Sequence, residues 1–539
     1  MESNSSTAWN FEDGALYVRR SFFEHGVTVP LVTSTMLKTE ALANVFEELF
    51  NLATVVDNRL VVQLDQWNDA CKRHLALTKL QAQHIVHTLY VVAPEIRNEQ
   101  DWIPFVELLV FVRLQACARR LATPVRPSTD DVFPKNTPLT GSPLAQDENN
   151  RSNFAYSNRS SSIRLERGTF TFYKETMFVV NNLEVILGDL VRLYEVLERV
   201  EQQVGDVMDT RDKKDNNETI QWYILRPECL KHLSFLFLAS VAHQPISWKD
   251  WIGIWIQRHG SSPLSIETWS ALLGNALKLT AQQSGGIAPS PVDPTLELSQ
   301  LTRCTILRAG TEGEPLSHRV VRIRNCQEVY IYLLNGMDCV SVEGCSDCII
   351  FIGAAYCISV TNCETVKIVS TSKFLRITNV VDSTFHLCVN HQPALLGDNR
   401  GIRLAPFNAF YPYLEEHMKS CGVSTVFNYW NEPFVVLDSS YPPSTVANIL
   451  PPEQLCPFAV PIHNSDGVTK KNPVQLPKEY LDAVDEKAKS VDCLRDMVRQ
   501  QQEHIDLERT VQHYFREWLI STGNIRQIHD LVKLAESFE

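Results

Sequence analysis

The chain predicts an α+β multidomain protein: a parallel β-solenoid flanked by an α-helical N-terminal region and C-terminal helices. Two observations carry this. A six-residue motif recurs as VRIRNC from Val321, VSVEGC from Val340, ISVTNC from Ile358 and LRITNV from Leu375, with starts 19, 18 and 17 residues apart. That period is too short for helical hairpins and suits one coil of a β-solenoid. On both sides the apolar residues instead recur at three and four, the helical spacing.

Within each coil Val321 and Ile323, Val340 and Val342, Ile358 and Val360, and Leu375 and Ile377 alternate with Arg322, Ser341, Ser359 and Arg376. A period of two marks a strand, with the first set facing the interior. Eight residues after each start a second strand begins, at Val329, Cys348, Val366 and Ser383. Asn325, Gly344, Asn362 and Asn379 sit between the two strands, where the turn needs residues tolerant of unusual backbone angles. A third short segment is expected to close each coil. Stacked coils leave an exposed edge at each end, and the flanking helices are the expected covers.

The same phase classifies the cysteines. Cys345-Ser346-Asp347-Cys348 has the spacing of a zinc motif, but Cys345 is equivalent to Cys326, Cys363 and Val380 in the other coils. A position that accepts valine is an interior packing rung, where cysteine acts as a small hydrophobe. Cys326, Cys345, Cys363 and Val380 are therefore read as structural core rungs, with no metal and no cofactor expected.

Before the solenoid, residues 1–121 read as a helical region with a stripe through Leu77, Leu80, His84, Ile85 and Leu89. Residues 122–168 are rich in Pro, Ser, Asn and Asp and read as a disordered linker or long loop. Residues 169–284 read as a second helical domain, including packed helices over 222–273, and 285–299 as a linker. The solenoid domain is assigned to 300–437, a Pro-rich linker to 438–476 and C-terminal helices to 477–539. Val484, Val491, Val498 and Ile505 recur every seven residues, but Arg495 and Gln502 occupy the alternate seam. Segment 477–510 thus predicts weak self-association at most.

The 539 residues carry a formal net charge of −13, which argues against nucleic acid as a partner. No apolar stretch reaches the length of a membrane span, and the N-terminus lacks the pattern of a signal peptide. Fourteen cysteines in such a chain are expected to be reduced thiols. There is no HExxH, no phosphate-binding glycine loop and no dinucleotide fingerprint. One charge stands out: Arg376, beside Lys373, alternates outward from the fourth coil. On pattern alone it reads as a solvated arginine, like Arg322 and Arg324.

The stretches VYIYLL, VSVEGCSDCIIFIGAA, KFLRIT and IRLAPF, within about 300–437, resemble the tubulin-binding cofactor C domain, also called the C-CAP/cofactor C-like domain. The resemblance implies a right-handed parallel β-helix. It also implies a possible site, because catalytic members activate the GTPase of tubulin or of an Arf-like GTPase with an arginine finger in a Gln-Leu/Phe-Arg motif. Here the motif falls on Phe374-Leu375-Arg376. Arg376, with Lys373, is then the candidate binding group, but Phe374 replaces the glutamine, which argues against catalysis. Three further stretches, 407–437, 449–461 and 515–532, and more loosely 225–239, resemble one branch of the family. That branch is associated with centrosomes, basal bodies and spindle poles. The resemblance therefore implies a non-enzymatic organising protein of the cytoplasm and cytoskeleton, with centriolar, basal-body or other cytoskeletal partners, tubulin or an Arf-like GTPase being the alternative.

Overall fold

The computed structural model describes residues 15–27, 39–56, 59–97, 102–122, 174–191, 224–241, 244–283, 295–309, 319–436, 446–455, 460, 472–500, 504–521, 525, 527–530 and 532. Nearly all of the 122–168 segment lies outside them. The chain divides into two units, one of residues 1–75 and 95–292, the other of 76–94 and 293–539.

The first unit is mixed. Helices Thr39–Leu52, Phe105–Ala122, 174–191, Trp248–His259 and Ile266–Gln283 accompany two three-stranded antiparallel sheets and one two-stranded sheet. The expected run of packed helices over 222–273 is interrupted by strand Phe237–Val241, which pairs with Ala15–Val18. A short apolar run buried on both faces has no periodicity to separate strand from helix. Helix Trp248–His259 starts where Ser247 Oγ accepts the Asp250 amide at 3.0 Å, and stops at Gly260, whose φ is 83°. Trp248 and Trp251 stack at 4.8 Å, and the Trp248 indole donates to the Leu230 carbonyl. Glu107 and His232 form a buried pair at 2.9 Å.

The second unit is built on the solenoid. Strands Tyr330–Glu343, Ile349–Thr361 and Lys367–Thr378 each run through one face, bend, and continue into the next coil. All pairings are parallel, and a ladder of single bridges from Thr302 through Gln327, Ser346, Glu364 and Val381 to Arg400 marks the corner. The expected third segment is the bend itself. There the register changes, between Leu333 and Gly336 and again between Ile352 and Ala354. Each change removes one residue, so the shrinking period of 19, 18 and 17 is absorbed at the bends while both faces stay aligned.

The corners explain the turn residues. Asn325, Gly344, Asn362 and Asn379 all have φ between 50° and 64°. Three residues on, Glu328, Asp347, Thr365 and Asp382 are also left-handed, a second bend per corner that the sequence did not announce. The solenoid begins earlier than 300, because Thr295–Ser299 pairs with Val320–Arg324. It also continues past 437, where Ala447–Ile449 pairs with Ile402–Leu404.

Interior and covers follow from the alternation. Cys326, Cys345, Cys363 and Val380 are each at most 2% exposed and line the interior with Val321, Val340, Ile358 and Leu375. At the C-terminal end, helix Lys478–Gln500 joins that interior: Tyr480 packs edge-on against Trp430 at 5.6 Å and donates to the Leu450 carbonyl. Val484, the first residue of the heptad series, also packs there, so it faces the solenoid and not a partner helix. Val491 is exposed, and the side chains of Val498 and Ile505 lie outside the described residues. On the second face, Tyr411 fits over Gly353, and its hydroxyl meets His417 Nδ1 at 2.8 Å.

Candidate functional site

On the first face Val320, Cys339, Cys357 and Phe374 form one in-register row, and Arg322, Ser341, Ser359 and Arg376 the next but one. Leu375, between Phe374 and Arg376, is buried in the solenoid interior. Its neighbours must therefore leave by the opposite side of the sheet.

That side does not face solvent. Helix Lys79–Val92 covers it, within the second unit. The helix starts with a reciprocal cap, in which Thr78 Oγ1 accepts the Gln81 amide at 3.3 Å and Gln81 Oε1 accepts the Thr78 amide at 2.9 Å. Gln81 Nε2 then donates to the Val436 carbonyl. From this anchor His84, His87, Thr88 and Val91, spaced at three and four, lie along one face of the helix.

Phe374 lies against both imidazoles, 5.1 Å from His84 and 5.1 Å from His87. His84 also meets Phe434 at 6.2 Å, and His87 meets His391 at 4.1 Å. Val91 joins Cys339, Tyr356, Cys357 and Phe374 in a small apolar cluster. Arg376 is 0% exposed, with its guanidinium carbon 5.8 Å from the Phe374 ring. Lys373 is half-buried, its Nζ 5.6 Å from the Tyr356 ring.

Burial foremost, with the Arg376 charge beside it, holds His84 well below the usual imidazole range. Burial, then His391, Lys373 and His84, does the same to His87. His391 is lowered to about 4 by burial and Lys373. These imidazoles are neutral near pH 7.

The solvated arginine that the pattern alone suggests is thus corrected: strand alternation says which side of the sheet Arg376 takes, but not what lies on that side. Arg322 is likewise buried, and Arg324 pairs with Glu343 at 3.2 Å. The covering helix was legible as a stripe through His84, yet nothing local joins it to a strand nearly three hundred residues later. His84, His87 and His391 were the residues missed. Chemically, the arrangement sets the Phe374 ring against two imidazoles beside a buried guanidinium. Among the described residues no cluster of His, Cys, Asp or Glu is placed to hold a metal ion.

Residues 318–434 match the family model described as Tubulin binding cofactor C. This segment is similar to a cofactor C-type domain. Over a longer stretch the chain is similar to TBCC domain-containing protein 1 of Gallus gallus, 31% identical over 246 residues, covering 45% of this chain and 43% of that protein. The proteins of the same name from Mus musculus and Homo sapiens are 30% and 29% identical over 240 residues, each covering 44% of this chain and 43% and 42% of the relative. The chain spans less than half the length of these curated relatives. Their names state a cofactor C-type domain and no enzymatic activity.

Proposed function

We propose that the chain is a non-enzymatic organising protein of microtubule-organising structures, the centrosome, basal body and spindle pole. Its cofactor C-type domain serves as a rigid body for partner binding and not as a GTPase activator. The observation that carries this reading is Arg376 at 0% exposure beneath helix Lys79–Val92. An arginine finger acts by entering a partner's nucleotide site. Here the guanidinium is enclosed, and Phe374, in the place of the family's glutamine, helps to hold the helix down.

In this reading the protein is cytoplasmic, positions the centrosome and the organelles tied to it, and has centriolar, basal-body or other tubulin-related cytoskeletal partners. The relatives' printed name supports the domain type, and the resemblance of 407–437, 449–461 and 515–532 supports the branch.

Deletion followed by rescue tests the proposal. Loss of the protein is expected to displace the centrosome or basal bodies, scored against a centriole marker, and a folded Arg376→Met version is expected to restore them. A folded Arg376→Met protein that fails to rescue would show that the guanidinium itself is needed, and the organiser reading would fall.

A further inference from the structure

Helix Lys79–Val92 is held on the solenoid by side chains that can each take up a proton. His84 and His87 are buried, and among the described residues none of their four ring nitrogens has a hydrogen-bond partner. His391 comes from the loop after strand Thr384–Val389 and lies 4.1 Å from His87, ring to ring. The groups acting on these imidazoles can be named element by element. Strand Lys367–Thr378 contributes Arg376 toward His84, and Lys373 toward His87 and His391. The helix and the 391 loop contribute the imidazoles themselves, and Phe434 faces His84 with a neutral ring. Among the described residues no carboxylate is among the groups that act on them.

We propose that helix Lys79–Val92 is an acid-released cover: protonation of His84, His87 and His391 frees the helix from the solenoid face and uncovers Phe374, Lys373 and Arg376. A proton on His84 or His87 would place a cation in a dry contact, and one on His391 a cation beside Lys373, with no carboxylate among the described residues to offset either. Leaving the face restores water to the imidazolium. The cover is therefore stable when the histidines are neutral and loses stability as they charge.

The sign and size follow from linkage. The imidazoles are depressed in the docked state, so their contribution is fully present above about pH 6.5 and is lost as pH falls below it. Between pH 7.5 and 5.5 each histidine shifts the docked–released equilibrium by about tenfold, and the three together by about 10³.

Hydrogen exchange on the full chain, expressed as protection factors to remove the intrinsic pH effect, reads this directly. The amides of Ile85–Val92 are expected to lose about 10³ in protection between pH 7.5 and 5.5, while those of strand Ile349–Thr361 hold theirs. In a His84→Leu/His87→Leu protein the pH effect should shrink to about tenfold. In His391→Gln, a milder change at a half-buried position that serves if the double variant does not fold, it should shrink to about a hundredfold. Helix protection that is flat with pH, strands that open in step with the helix, or variants with an undiminished pH response would each overturn the proposal.

Discussion

Replacing Arg376 by alanine removes two methylenes and a guanidinium from a position with no exposed surface. The methylenes contribute about 0.8 kcal/mol each when buried. The guanidinium lies 5.8 Å from the Phe374 ring, a desolvated contact worth about 1–2 kcal/mol. The expected loss is therefore about 3 kcal/mol for Arg376→Ala, which at a urea dependence of about 2–3 kcal/mol per M lowers the midpoint by about 1–1.5 M. Arg376→Met keeps most of the buried stem and loses only the guanidinium–ring contact, so that variant should lose about 1–2 kcal/mol, clearly less than the alanine variant. Because the chain holds two units, the transition is best followed by urea-dependent hydrogen exchange in strands Ile349–Thr361 and Lys367–Thr378 of the second unit. A catalytic finger on a solvated strand would behave differently, since neither substitution would move stability. An unchanged midpoint for Arg376→Ala would refute the enclosed, structural arginine.

The remaining predictions test the packing around this core. A methyl group at Gly353 would collide with the Tyr411 hydroxyl and sit 2.8 Å from its ring carbon, so Gly353→Ala should cost about 1–3 kcal/mol, visible as a lower urea midpoint for the second unit. In the first unit, removing Glu107 takes from buried His232 its 2.9 Å hydrogen-bond partner, and Glu107→Ala should destabilise by about 1–3 kcal/mol in chemical denaturation. Burial raises the Glu107 carboxyl, but the charge and hydrogen bond of His232 outweigh it, and the net shift is downward. That contribution is present above the usual carboxylate range and lost as pH falls through the lowered value, so an acid titration of native and Glu107→Gln proteins should converge at low pH.

Much of the solenoid was readable because its physics is local and repeated. Val321, Val340, Ile358 and Leu375 declare an interior face by alternation, and Cys345 is a packing rung because Val380 takes the same place. The outer coils were harder to see. Thr295–Ser299 has no motif of its own, and Ala447–Ile449 is separated from the repeat by a long excursion. The second left-handed residue of each corner varies from Glu328 to Asp347, Thr365 and Asp382, so it leaves no common signature. The site was half legible. The sequence points Arg376 away from the interior, but solvent or a helix on that side is decided by the packing of helix Lys79–Val92 on Phe374, which no local pattern encodes. Sequence periodicity reports the face a residue takes; burial depends on which distant element arrives there.

In this solenoid Arg376 is a structural group, buried beneath helix Lys79–Val92. The most direct measurement is GTP hydrolysis by tubulin, and by a GTP-loaded Arf-like GTPase, with and without the purified full chain at pH 7.5. No acceleration is expected from the native protein or from Arg376→Met. An arginine finger contributes about 10³–10⁵ in rate, so an acceleration of that order, present in the native protein and abolished in a folded Arg376→Met, would contradict the structural role.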